Sequence, residues 1–104
     1  MSTLRLPKGY PKIIRMASGH LSLEISDDIS YESFLEHAEV FIFSIGGIIK
    51  SKKNSFIMCI WEIEINNKKF RLVYEDYPCG VSLESDNDAS DQELFSIKEM
   101  LIVD

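Results

Sequence analysis

The side chains able to do chemistry are few and scattered. The chain carries two histidines and two cysteines in 104 residues. His20 opens an alternating stretch, and His37 falls on the polar side of a helical stripe. Neither belongs to a metal-ligand spacing such as H-E-x-x-H, so both read as surface histidines. Cys59 takes an inward strand position, where a thiol packs as a small hydrophobe. Cys79 lies between Pro78 and Gly80, which predicts a loop and an accessible thiol. A thiol nucleophile needs a base to activate it, and no neighbour in sequence supplies one. The pattern therefore predicts no catalytic residue, no metal and no cofactor.

Carboxylates are the denser group. Asp86, Asp88 and Asp91 invite a calcium reading, but an EF-hand loop needs a glycine at its sixth position and a glutamate at its twelfth. No glycine follows here, so these acids read as a solvated linker and a helix start. Glu62 and Glu64 have the spacing of an acid–base pair, yet Lys69 and Arg71 stand as their cross-strand ion partners. Gly46-Gly47 is a helix stop rather than a phosphate-binding loop.

The central element is a β-hairpin, Phe56 to Ile65, then Asn66-Asn67, then Lys68 to Glu75. Side chains alternate between the two faces of a strand. Ile57, Cys59, Trp61, Ile63 and Ile65 form the inward set; Phe56, Met58, Ile60, Glu62 and Glu64 form the outward one. Asn tolerates positive φ, so Asn-Asn makes a two-residue turn. That turn pairs Ile65 with Lys68, Glu64 with Lys69, Ile63 with Phe70, Glu62 with Arg71, Trp61 with Leu72 and Cys59 with Tyr74. A slip of one residue would bury Glu62 and Glu64.

Around it, residues 1–19 are punctuated by Pro7, Gly9, Pro11 and Gly19 and made basic by Arg5, Lys8, Lys12 and Arg15. They either lie against the acidic body or form a mobile tail, with Ile13, Ile14 and Met16 as a short edge strand. His20 to Ser26 alternates as a half-buried strand with Leu21, Leu23 and Ile25 inward. Ser30 is an N-cap, followed by the stripe Tyr31, Phe34, Leu35, Ala38, Phe41, Ile42 and Ile45 of an amphipathic helix. Ile48-Ile49-Lys50 starts a strand, and Ser51 to Ser55 reads as a polar turn. Asp76 to Gly80 reads as a loop, and Val81 to Ser85 as a short strand. Ser90-Asp91-Gln92-Glu93 matches a capping box before a last helix bearing Leu94, Ile97, Lys98 and Leu101, flanked by Phe95 and Ile102.

The expected architecture is α+β: a single domain over 1–104, with a mainly antiparallel sheet of four to six strands and two helices packed on one face. The formal charge is −6. That disfavours nucleic acid, which needs a basic footprint, and an anionic membrane surface. It suits a basic protein partner. No apolar run approaches the ~18 residues of a membrane span, and the N-terminus lacks the apolar core of a secretory signal. A cytoplasmic, non-enzymatic protein is expected. Helices on one face leave Phe56, Met58, Ile60 and Val73 on the other. Near them fall Tyr77 and the acids Glu75, Asp76, Glu84, Asp86 and Asp88, which form the expected partner-binding surface.

In size, in acidity, in lacking catalytic residues and in the Tyr74-Glu75-Asp76-Tyr77 and Glu84–Asp91 surface, the chain resembles the small acidic immunity proteins of bacterial toxin and contact-dependent growth inhibition systems. The resemblance implies a domain that occludes a basic, nuclease-like toxin, with the acids pairing to toxin cations and Tyr77 as anchor. The order helix, Gly-Gly, hairpin, Tyr-Glu, strand, helix is also similar to small bacterial domains of unknown function. Two alternatives remain: a homodimeric adaptor domain pairing through Phe56, Met58 and Ile60, and a small enzyme using Cys79.

Overall fold

A computed structural model describes residues 6–76 and 79–103, with the side chains of 102 and 103 excluded. The elements are β1 (Lys12–Arg15), β2 (Leu21–Ser26), α1 (Tyr31–Ser44), β3 (Gly47–Asn54), β4 (Met58–Ile65), β5 (Lys68–Asp76), β6 (Cys79–Glu84) and α2 (Asp88–Val103). The strands form one antiparallel sheet in the order β1-β2-β6-β5-β4-β3. Both helices pack on the same face of it. The fold is α+β, as the hydrophobic pattern requires.

The hairpin β4–β5 has the expected register at every pair, from Ile65↔Lys68 to Cys59↔Tyr74. Asn66 and Asn67 both take positive φ, 52° and 64°, the signature of a type I′ turn. Cys59, Trp61, Ile63 and Ile65 are buried, together with Phe70, Leu72 and Tyr74 opposite them. They join Leu21, Leu23, Ile25, Val81 and Leu83 in one continuous core.

Helix α1 begins as expected: the Ser33 N–H donates to Ser30 Oγ at 3.1 Å. Its buried stripe is Phe34, Ala38, Phe41 and Ile42, with Ile45 just beyond. Leu35 instead lies on the shoulder of the stripe and is exposed. Phe34 stacks on Tyr74 (5.2 Å) and meets Trp61 at a tilt (5.1 Å). Each such aromatic pair contributes about 0.5–1.5 kcal/mol beyond area burial. Gly46 ends the helix at φ 81°, and Gly47 passes directly beneath Ile42.

Several boundaries differ from the pattern-based expectation. Strand β3 continues through Ser51–Asn54, which were expected as a turn; a bulge between Ile49 and Ser51 redirects the alternation. Lys52 thereby reaches the inner side, where its ammonium lies 4.5 Å from the Trp61 ring and pairs with Glu39 of α1. Asn54 Oδ1 accepts the Trp61 indole N–H at 2.8 Å. Polar residues thus serve a strand because α1 and Trp61 give them partners. Cys79 and Gly80 likewise belong to β6 rather than to a loop.

Helix α2 starts two residues before the expected cap. The Ser90 N–H donates to Asn87 Oδ1 at 2.8 Å, so Asn87 is the cap. Ser90 is buried and donates to the Lys69 carbonyl at 2.8 Å. Glu93 does not close a capping box. It accepts from Asn66 at 2.8 Å and pairs with Lys68 at 3.5 Å, holding the β4–β5 turn against the helix. No helix among the described residues is long and apolar enough to cross a membrane.

Candidate functional site

The turn between β3 and β4 is the most unusual local feature. The Ser55 N–H donates to the Met58 carbonyl at 2.8 Å, and Ser55 Oγ accepts the Met58 N–H at 3.2 Å. Those bonds leave Phe56 and Ile57 at the tip. Turn tips favour Gly, Asn, Asp, Ser and Pro for conformational reasons; this one carries two large apolar side chains, 84% and 71% exposed. Ile57 was expected in the core. It lies outside because the strand begins at Met58, so alternation inside β4 places no constraint on it.

Neighbouring elements hold this tip in place. The Asp76 N–H donates to the Ile57 carbonyl at 3.0 Å, joining the turn to the end of β5. Tyr31, at the start of α1, lies 6.2 Å from the Phe56 ring and 6.0 Å from Tyr74. Met58 pairs with Glu75 across the ladder, and Asp76 with Cys79. The Cys79 thiol donates to the Ile29 carbonyl at 3.0 Å, which brings the β2–α1 connection alongside. The result is an apolar prominence, Phe56 and Ile57 with Met58 behind them, beside the carboxylates Glu75 and Asp76.

Two ionisable groups at this end are held in their neutral forms. Tyr74 donates to Asp76 Oδ1 at 3.3 Å. Burial first, and then the Asp76 charge, push its hydroxyl up to about 12, so it stays a neutral phenol. Burial also pushes the Cys59 thiol up, away from the thiolate form a nucleophile needs.

The remaining acids of the expected surface lie at the end of β6 and after it. From Cys79 to Glu84 is five residue steps along β6, about 17 Å. Glu84 stands on the outer face at that far end and pairs with Arg71 at 3.4 Å. Its carboxyl is raised by burial, against the pull of Arg71. Asp86 lines a shallow groove there with Glu62, Lys69, Phe70, Arg71 and Glu84. Arg71 was expected to pair with Glu62, but the ion pair it makes among the described residues is with Glu84. Val73, expected to be an exposed outer-face residue, is only 5% exposed, between Ile60 and Ser82 of the adjoining strands. Tyr77 lies outside the described residues. Glu75 and Glu84 lie on adjoining strands, near enough for the Glu75 charge to help raise the Glu84 carboxyl, and Asp86 lies beside Glu84.

Asp88 belongs to a different cluster. His20 Nδ1 donates to Asp91 Oδ2 at 2.9 Å and lies 4.0 Å from Asp88 Oδ1. Asp91 Oδ1 accepts the Leu21 N–H at 2.8 Å. The hydrogen bond to Asp91 raises the His20 pKa above its ordinary 6.5. Burial would raise Asp91, but hydrogen bonds from His20, Leu21 and Ser85 outweigh it and hold the carboxyl below its ordinary 3.8. This cluster joins the start of β2 to the first turn of α2.

Residues 12–100 match DUF3630, a family described as protein of unknown function. The chain belongs to the DUF3630 family. No curated protein and no solved structure matches it. Within this DUF3630 protein, Ile57 is the residue that strand-pattern reasoning turned inward, whereas Phe56 is exposed as expected. The signal was available: two bulky apolar residues directly after the polar run Ser51-Lys52-Lys53-Asn54-Ser55.

Proposed function

We propose that this DUF3630 protein is a non-catalytic binding domain that docks a basic protein partner at the Phe56–Ile57 turn. The observation that carries this reading is the placement of two exposed apolar side chains on a hydrogen-bonded turn next to Glu75 and Asp76. A rigidly mounted apolar anchor loses little conformational freedom on binding. Charge beside it steers and selects the partner. In the form suggested by the resemblance to immunity proteins, the partner is a nuclease-like toxin whose cationic active site is occluded. Self-association through the same face is less favourable, because two copies of a chain with charge −6 would bring like charges together.

The test is affinity capture followed by titration of the recombinant partner. Phe56→Ser with Ile57→Ser should weaken binding of a basic partner by about 2 kcal/mol or more, the scale of an interface hot spot. Glu75→Gln with Asp76→Asn should slow association and flatten its salt dependence. Asp86→Asn with Asp88→Asn, at the other end of β6, should change little. Equal binding by the Phe56/Ile57 variant, or a partner that is not basic, overturns the reading.

A further inference from the structure

We propose that His20, Asp88 and Asp91 form a binding site for one divalent transition-metal cation of the zinc class. This site is separate from the proposed docking turn and does not depend on it. One donor atom from each of the three residues lies within 4.8 Å of the other two, and His20 Nδ1 is 4.0 Å from Asp88 Oδ1 and 2.9 Å from Asp91 Oδ2. One is an imidazole nitrogen from the start of β2, and two are carboxylate oxygens from the first turn of α2. Such a mixed set suits zinc-like ions better than calcium or magnesium, which prefer all-oxygen shells.

The geometry is close to what coordination needs. Zinc binds nitrogen and carboxylate oxygen at roughly 2.0–2.2 Å. Donors 2.9 Å apart then subtend roughly 90° at the ion, and a tetrahedral angle needs them a few tenths of an ångström further apart. Coordination then needs the His20 ring to turn, so that the Nδ1 lone pair now aimed along the bond to Asp91 Oδ2 points at the ion. Asp88 is fully exposed, so its carboxylate is free to close the third position. Asp91 is 8% exposed and is oriented by its other oxygen, which holds the Leu21 N–H. Outer contacts of this kind fix a ligand's direction before the ion arrives. The remaining coordination positions face solvent on the Asp88 side and would take water.

For Nδ1 to coordinate, its proton must leave that nitrogen, so the cation takes the place of the hydrogen bond from His20 to Asp91.

The experiment titrates zinc chloride into chelator-stripped full-length protein near neutral pH, by calorimetry and by ¹⁵N NMR of the imidazoles. Wild type should take up one equivalent, with the His20 Nδ1 resonance shifted. Cys79→Ser should bind equally, excluding the thiol as ligand. Asp88→Asn, at an exposed position that the fold does not need, should bind at least ~10-fold more weakly, and His20→Gln should not bind. No saturable uptake by wild type overturns the proposal. So does uptake unchanged in both Asp88→Asn and His20→Gln, or uptake lost only in Cys79→Ser.

Discussion

His20 and Asp91 are 71 positions apart and are joined by one hydrogen bond. Their opposite shifts make stability depend on pH through both groups. A histidine raised above 6.5 contributes fully below that value, and its contribution fades as pH rises through the raised one. An aspartate held below 3.8 contributes above that value and loses its contribution as pH falls through the lowered one. The two overlap between 3.8 and 6.5. Thermal melts of wild type and His20→Gln should therefore differ most at about pH 5–6 and converge in mild alkali. An equal gap at every pH would show that the pair acts through packing alone. Ser90 offers a second test at this scale. Ser90→Ala removes the donor to the Lys69 carbonyl and should cost about 1–3 kcal/mol in urea unfolding. The local pattern S-x-x-E made Ser90 and Glu93 read as a capping box, which they do not form. Their true partners, Lys69, Asn66 and Lys68, belong to a different element and leave no mark in the spacing.

At the scale of elements, strands with clean alternation were readable and their ends were not. The β4–β5 register follows from a two-residue asparagine turn and from the requirement that Trp61 and Ile63 be buried. The start of β4 escaped, because apolar residues from Phe56 to Ile60 continue the pattern past the point where pairing stops. The α1–β3 junction makes a sharper prediction. A Cβ on Gly47 would lie 2.6 Å from Ile42 Cγ2 and 3.2 Å from Ile65 Cγ1. Gly47→Ala should destabilise the fold by about 1–3 kcal/mol, the usual range for overpacking. Urea unfolding checks this, and a cost near zero would mean that α1 slides freely on the sheet.

For the whole molecule, the charge of −6 and the carboxylates beside the exposed turn predict a monomer. Sedimentation should show a single species near 11.9 kDa across a wide concentration range. A concentration-dependent dimer abolished by Phe56→Ser would move the docking surface to self-association. Composition and period were enough to determine an acidic α+β domain, its antiparallel sheet and its central register, because turn chemistry and alternation act between residues close in the chain. Only the folded chain decided that β6 lies between β2 and β5, that His20 meets Asp88 and Asp91, that Phe56 and Ile57 stand beside Glu75 and Asp76, and that Glu84 pairs with Arg71. Those juxtapositions depend on strand order and on how the helices cross the sheet. They are set by the burial of one shared core, to which segments far apart in the chain contribute together.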